Sequence, residues 1–142
     1  MHGKISNWNM QTITQPAQDV GFGTRILSAG TKTRFVSSLS SHSGTNTANN
    51  VVTKYFLLPS QPPASPSTNT YDSSSQIGAV AFLQTQNMGT TTTAVASAGL
   101  VSDRGGAFGF FVPPGFILVS YITDVNSDGT IIHSVISGEC EY

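Results

Sequence analysis

Asp124-Val125-Asn126-Ser127-Asp128-Gly129 spells the D-x-N-x-D-G opening of a calcium-binding loop, the closest this sequence comes to a chemical motif. Such a loop also needs a bidentate Glu at its twelfth position and a helix on each side. The twelfth position here is Val135, and the flanks read as strands. A hairpin turn built on the Asp-Gly pair accounts for the segment better. The three histidines, His2, His42 and His133, have no metal-ligand spacing, and the one cysteine, Cys140, cannot furnish a structural zinc site. No metal and no cofactor are expected. His133 falls in a strand run, where a half-buried sheet residue is the plainer reading than a general base.

Nucleophilic chemistry fares no better. Serine is abundant, but no G-x-S-x-G elbow stands between a strand and a helix. Ser102-Asp103-Arg104-Gly105-Gly106 is glycine-rich yet lacks the G-K-[ST] of a phosphate loop. A glycosidase would need two carboxylates about 5–9.5 Å apart. Asp103, Asp124 and Asp128 are the candidates, and two of them suit turn chemistry better. The sequence predicts no enzyme and no catalytic residue.

Composition points elsewhere. Charged residues make up 9% of the 142 residues, against about a quarter in an ordinary soluble domain. Ser, Thr, Asn and Gln carry the polarity instead, as in Ser37-Ser38-Leu39-Ser40-Ser41-His42-Ser43. Lys and Glu normally guard strand edges against pairing with other chains. A chain that has given them up is expected to be covered by copies of itself or by a larger assembly. The net charge of −1 offers nucleic acid no attraction. The longest apolar stretch, from Phe108 to Ser120, is broken by Pro113-Pro114-Gly115 and too short for a membrane span. The first residues contain no apolar signal-peptide core. A single cysteine predicts synthesis in a reducing cytosol.

Period-2 alternation and turn punctuation recur along the chain, while helical periodicity is nearly absent. Residues 1–23, with isolated Ile5, Trp8, Met10, Ile13, Val20 and Phe22, are expected to form an extended N-terminal arm. Residues 24–142 are expected to form one all-β domain, an antiparallel β-sandwich of about eight strands. Runs from Thr24, Thr33, Val51, Ile77, Thr90, Ala107, Phe116 and Thr130 supply them, with Ile77 to Gln84 buried on both faces. Residues 40–50 and the proline-rich 60–75 read as loops. Pro113-Pro114-Gly115 and Asn126-Ser127-Asp128-Gly129 are expected to close two hairpins, making the last three strands a meander.

From Thr24 to Tyr142 the chain resembles small β-sandwich structural proteins of tailed bacteriophages: capsid decoration (cement) proteins, head fibres and tail-fibre tips. The residues that carry the resemblance are Thr24-Arg25-Ile26, Tyr55-Phe56-Leu57-Leu58-Pro59-Ser60-Gln61-Pro62-Pro63, Phe110-Phe111-Val112-Pro113-Pro114-Gly115-Phe116-Ile117-Leu118-Val119, and the ending from Ile131 to Tyr142. The resemblance implies a jelly-roll-like fold, a homotrimer and a virion structural role without catalysis. The long 60–75 loop departs from the pattern, and no collagen-like or coiled-coil stalk precedes the domain, which favours a decoration protein over a fibre tip. The implied partner is the major capsid protein or another virion protein, at the capsid surface, after synthesis in the host cytoplasm. Nucleic acid and membrane are not expected partners. Trp8, Ile13 and Phe22 of the arm, with Phe111, Phe116 and Tyr121 of the C-terminal strands, are the expected assembly contacts. The alternative is a receptor-binding fibre tip that recognises a host glycan through Ser/Thr/Asn-rich loops and an exposed Tyr71.

Overall fold

The computed structural model describes residues 3–16, 21–43, 51–87, 95–98, 100–101, 107–125 and 130–141. Two antiparallel sheets pack face to face. The first has the order β1 (Lys4–Pro16), β12 (Thr130–Glu141), β3 (Arg34–Ser43), then β10 (Phe110–Val112) and β7 (Val95–Ala98) end to end along β3. The second runs β5 (Thr70–Tyr71), β2 (Gly23–Ser28), β11 (Phe116–Val125), β4 (Val51–Pro59), β6 (Ala81–Asn87). A separate two-residue ladder joins β8 (Leu100–Val101) to β9 (Ala107–Phe108). Neighbours in each sheet are distant in sequence, and the chain passes from sheet to sheet at most connections. This is the double Greek key of a jelly roll.

The sandwich and its jelly-roll character agree with the expectation, but the pairing within it does not. Of the residues expected to form an arm, Lys4 to Pro16 pairs along β12 and forms the edge of the first sheet, while residues 1–2 and 17–20 lie outside the described residues. Pro16 is tolerated there because an edge strand has one side without a ladder to satisfy. The C-terminal meander is also absent. β10 and β12 lie in the first sheet and β11 in the second, so Pro113-Pro114-Gly115 reverses the chain between sheets. The turn itself forms as its residues dictate. Gly115 has φ +79°, and Phe116 N donates to Pro113 O at 3.2 Å. Turn chemistry sets a reversal; it does not choose the sheet that the next strand joins. Residues 126–129, 44–50, 90–94 and 102–106 lie outside the described residues.

β11 is the best-buried strand. Ile117 through Ile122 are all at most 1% exposed, because this strand is covered on both faces. Leu118 packs toward the first sheet with Ile26, Leu27, Val36, Leu39, Leu57, Val112 and Val135. On its other face Ile117, Val119 and Tyr121 form a second cluster with Leu58 and Tyr71. The 60–80 segment therefore covers the outer face of the second sheet, joining its edge through β5. It holds β5, which carries Tyr71, and a short 3-10 turn, Ser73–Gly78. Ile77 falls in that turn and is exposed, so the strand expected from Ile77 begins only at Ala81. β3 likewise takes the first four residues of the expected 40–50 loop, running to Ser43. Ser41 O–H supplies an inward polar contact there, and the ladder to β12 supplies the rest.

Candidate assembly interface

Strand β12 alternates: Ile131, His133 and Val135 are buried, while Ile132, Ser134 and Ile136 are half-buried on the outer face. His133 is thus fully buried rather than half-buried, and it has the partners that the sequence could not supply. Its Nε2 lies 2.7 Å from Gln15 Oε1, and Gln15 Nε2 donates to Ser120 O at 2.8 Å. The Gln15 oxygen must accept, so His133 Nε2 carries the proton and Nδ1 presents a lone pair. Nδ1 lies 2.8 Å from the Tyr55 hydroxyl and 3.1 Å from Ser41 Oγ, and those two hydroxyls are themselves hydrogen-bonded. Burial pushes the Tyr55 phenol up to about 12, which keeps it a donor. The network joins three strands of the first sheet to two of the second. Every member is buried, and the shared hydrogen bonds fix the strands they join against one another.

The outer face of the first sheet is different. The ring of Trp8 (β1) meets Phe35 (β3) edge-on, with centroids 6.3 Å apart and planes at 84°. Phe35 meets Phe111 (β10) at 5.1 Å. Between Trp8 and Phe35 lies β12, which carries Gly138 opposite Phe35. A Cβ at 138 would sit 3.2 Å from Trp8 Cδ2 and closer still to Ile5, so glycine is what lets β1 fold over this point. The β1 register slips between Ser6 and Asn9, and Asn7 takes φ +51°, a value asparagine tolerates. Asn7 Nδ2 then donates to Glu139 Oε2 at 2.9 Å. That bond, ahead of nearby Lys32 and Arg34, holds the Glu139 carboxyl below the usual carboxylate range. Trp8 and Phe111 remain about half exposed, and Met10, opposite Ile136, is more so. The result is an aromatic ladder across one end of the sheet, open to solvent.

Of the six expected contact residues, the fold brings together two, Trp8 and Phe111, and joins them through Phe35. Phe35 was missed because nothing local in Arg34-Phe35-Val36 says which side faces out; only the ladder to Gly138 and Phe111 does. Phe22 is partly exposed just before β2, away from this ladder. Ile13 and Phe116 are half-buried and pack against the inter-sheet core, and Tyr121 is fully buried beneath the 60–80 segment, its hydroxyl donating to Asp72 O at 3.3 Å. Tyr71, expected to be exposed for a glycan, is 1% exposed and donates to Gln61 O. A fibre-tip reading loses its aromatic platform. Among the described residues no three His, Cys, Asp or Glu side chains gather as metal ligands, and no helix is long and apolar enough to cross a membrane.

No protein family matches the sequence, and no curated protein matches it either. Solved structures do match in shape. A chain of the acidic stable capsid structure of Helicobacter pylori bacteriophage KHP30 superposes with TM-score 0.50 at 6% identity, over 97% of this chain and 91% of that one. A rhinovirus-B5 chain gives 0.41 at 18% identity over 92% of this chain, and a nora virus chain 0.39 at 9% over 98%. The present chain spans 65% and 59% of those two. The class is therefore defined at the level of fold: a jelly-roll sandwich shared with a virus capsid structure.

Proposed function

We propose that this chain is a non-enzymatic structural protein of a virus particle, a decoration or cement protein that binds the outer capsid surface as an oligomer and stabilises it. The observation that carries this reading is the asymmetry of the sandwich. The second sheet is roofed by the chain's own 60–80 segment, whereas the first bares the Trp8–Phe35–Phe111 ladder on a chain with 9% charged residues. Half-exposed aromatics in a row are typical anchors of a protein interface. The mechanism is mass action: a protein that binds only the assembled shell stabilises that state, and many copies multiply the effect. The partner on the shell is the major capsid protein, and the trimer is the oligomer that the resemblance to phage proteins implies.

The test is reconstitution. Purified chain added to shells stripped of it is expected to bind at high copy number and to raise the temperature at which the shells open. A Trp8→Ala, Phe111→Ala chain should fold normally and leave the shells bare. Purified particles that lack the chain, or shells no more heat-resistant when coated, would overturn the proposal.

A further inference from the structure

Asn9, Gln11 and Ile13 share one face of β1, opposite Ser137, Val135 and His133 of β12. Those three β12 residues are buried, so this is the face that β1 turns toward the second sheet. Ile13 packs against the core as that position requires, yet Asn9 and Gln11 are exposed. The second sheet supplies the reason. Its edge strand β5 pairs with Gly23 and Thr24 of β2 and stops there, which leaves Arg25 to Ser28 at the edge. A cleft of about 480 Å³ opens between the edges of the two sheets. Asn9, Gln11 and Ile13 line it from β1, with Arg25 from β2, Arg34 from β3 and Asn69 from the turn before β5. That volume falls within the range of small-molecule sites, about 300–1,000 Å³.

The polar groups of this cleft are not spent on the fold. Among the described residues, the side chains of Asn9, Gln11 and Arg25 have no hydrogen-bond partner, and no carboxylate pairs with Arg25. Arg34, by contrast, is committed. Its Nη2 donates to Ser137 Oγ at 2.9 Å and its Nη1 lies 3.6 Å from Glu139 Oε1, so it is a fixed charge in the wall. Glu139 is shared with Lys32 at 3.7 Å, so one carboxylate stands against two cations, and Arg25 adds a third. Lys4 and Glu141 cancel each other further along the same strands. On a chain of net charge −1, the positive excess is local to this side of the sandwich.

We infer that the cleft binds a small acidic sugar, its carboxylate on the Arg25 guanidinium and its hydroxyls on the Asn9 and Gln11 amides. The guanidinium fork matches a carboxylate in geometry as well as charge. An amide presents a donor and an acceptor together, which suits a hydroxyl group that is both. Half-buried Ile13 offers an apolar patch to the C–H face of the ring. The site goes beyond the decoration role and does not depend on it, since the Trp8–Phe35–Phe111 ladder occupies the other face of the first sheet. A free uronic acid and a uronic acid within a polysaccharide share this chemistry.

NMR titration of the isotope-labelled full chain tests the site with D-galacturonate, tetragalacturonate, D-galactose and inorganic phosphate. D-galacturonate is expected to shift the backbone signals of Asn9, Gln11 and Arg25 saturably, with D-galactose and phosphate about tenfold weaker or worse. Arg25→Ala should weaken D-galacturonate about tenfold or more, the scale of a lost charge-assisted hydrogen bond, and Arg25→Lys should weaken it less. Asn9→Asp, which sets a like charge against the ligand, should weaken it as Arg25→Ala does. Both Arg25→Ala and Asn9→Asp should melt as wild type, because neither native side chain is bonded within the fold. Tetragalacturonate binding tighter than the monomer assigns the site to a polysaccharide, and equal affinity to a free sugar; either result supports the site. No saturable shift with either uronate, phosphate binding as tightly as D-galacturonate, or full affinity in Arg25→Ala overturns it. Each of those results leaves the decoration role standing, because shell binding is assigned to the opposite face.

Discussion

The Tyr55 hydroxyl on β4 lies 2.8 Å from Nδ1 of His133 on β12, a hydrogen bond from one sheet to the other through the middle of the core. The two rings meet edge-on at 83° with centroids 5.6 Å apart. The same imidazole reaches Gln15 on β1 through its other nitrogen. The first strand is therefore tied to the last by the backbone ladder and by a buried side chain, which is why residues expected to reach outward stay with the sandwich. A one-residue slip of β1, β3 or β12 would turn Gln15, Ser41 or His133 to the outer face and leave the others unpaired.

Tyr55→Phe removes the hydroxyl that supplies His133 Nδ1. A loss of about 1–3 kcal/mol is expected, the usual cost of a buried group deprived of its partner. His133→Leu removes the imidazole and strands both Tyr55 and Gln15. Urea unfolding of both single variants and the double variant should show strong non-additivity, with Tyr55→Phe costing far less once His133 is gone. Additive losses would mean that the network does not act as a unit.

Gly138→Val places side-chain atoms where Ile5 and Trp8 cross β12. Overpacking of this kind costs about 1–3 kcal/mol. Here it should act on β1 in particular, so hydrogen exchange at Ile5 through Asn9 should quicken while β11 stays protected.

Trp8→Ala and Phe111→Ala remove exposed rings. Each loses an edge or tilted ring contact worth about 0.5–1.5 kcal/mol, so thermal melting should change little. Under the proposed docking the rings would be desolvated in the complex, so shell binding should fall by far more. A chain that melts as wild type yet fails to coat shells separates docking from folding.

Glu139 gives an acid dependence with a definite sign. Its carboxyl is held below its ordinary value of 4.5, first by the Asn7 amide and then by Lys32 and Arg34. A carboxyl lowered in the folded state contributes stability that is complete above its unfolded value and is lost as pH falls through the folded one. Protection of Asn7 and its neighbours should therefore decline below about pH 4.5, and Glu139→Gln should flatten that decline. Glu141, lowered by Ser6 and Lys4, works in the same direction two residues further along β12.

Much of the fold is legible locally. Val51 to Leu58 and Phe116 to Ile122 announce strands by β-branched and aromatic content, and both form. The Pro114–Gly115 turn follows from φ preferences alone. Where local reading fails, a distant partner decided. Ile77 looks like the start of a buried strand, yet Ala79 takes the inward place against Leu58 and Tyr71 and leaves Ile77 outside. Tyr71 sits among prolines and serines that promise exposure, and closes over Val119 and Tyr121 because the second sheet has an apolar outer face to cover.

The residues by themselves determined an all-β chain, its strongest strands and turns, and a surface poor in charge. These depend on alternation, propensity and composition, which act within a few positions. The tertiary structure alone decided that β1 pairs with β12, that β10, β11 and β12 divide between two sheets, and that Trp8, Phe35 and Phe111 form one ladder. Those outcomes depend on which faces are buried once both sheets are in place. Side chains a hundred residues apart meet only when the whole roll has closed.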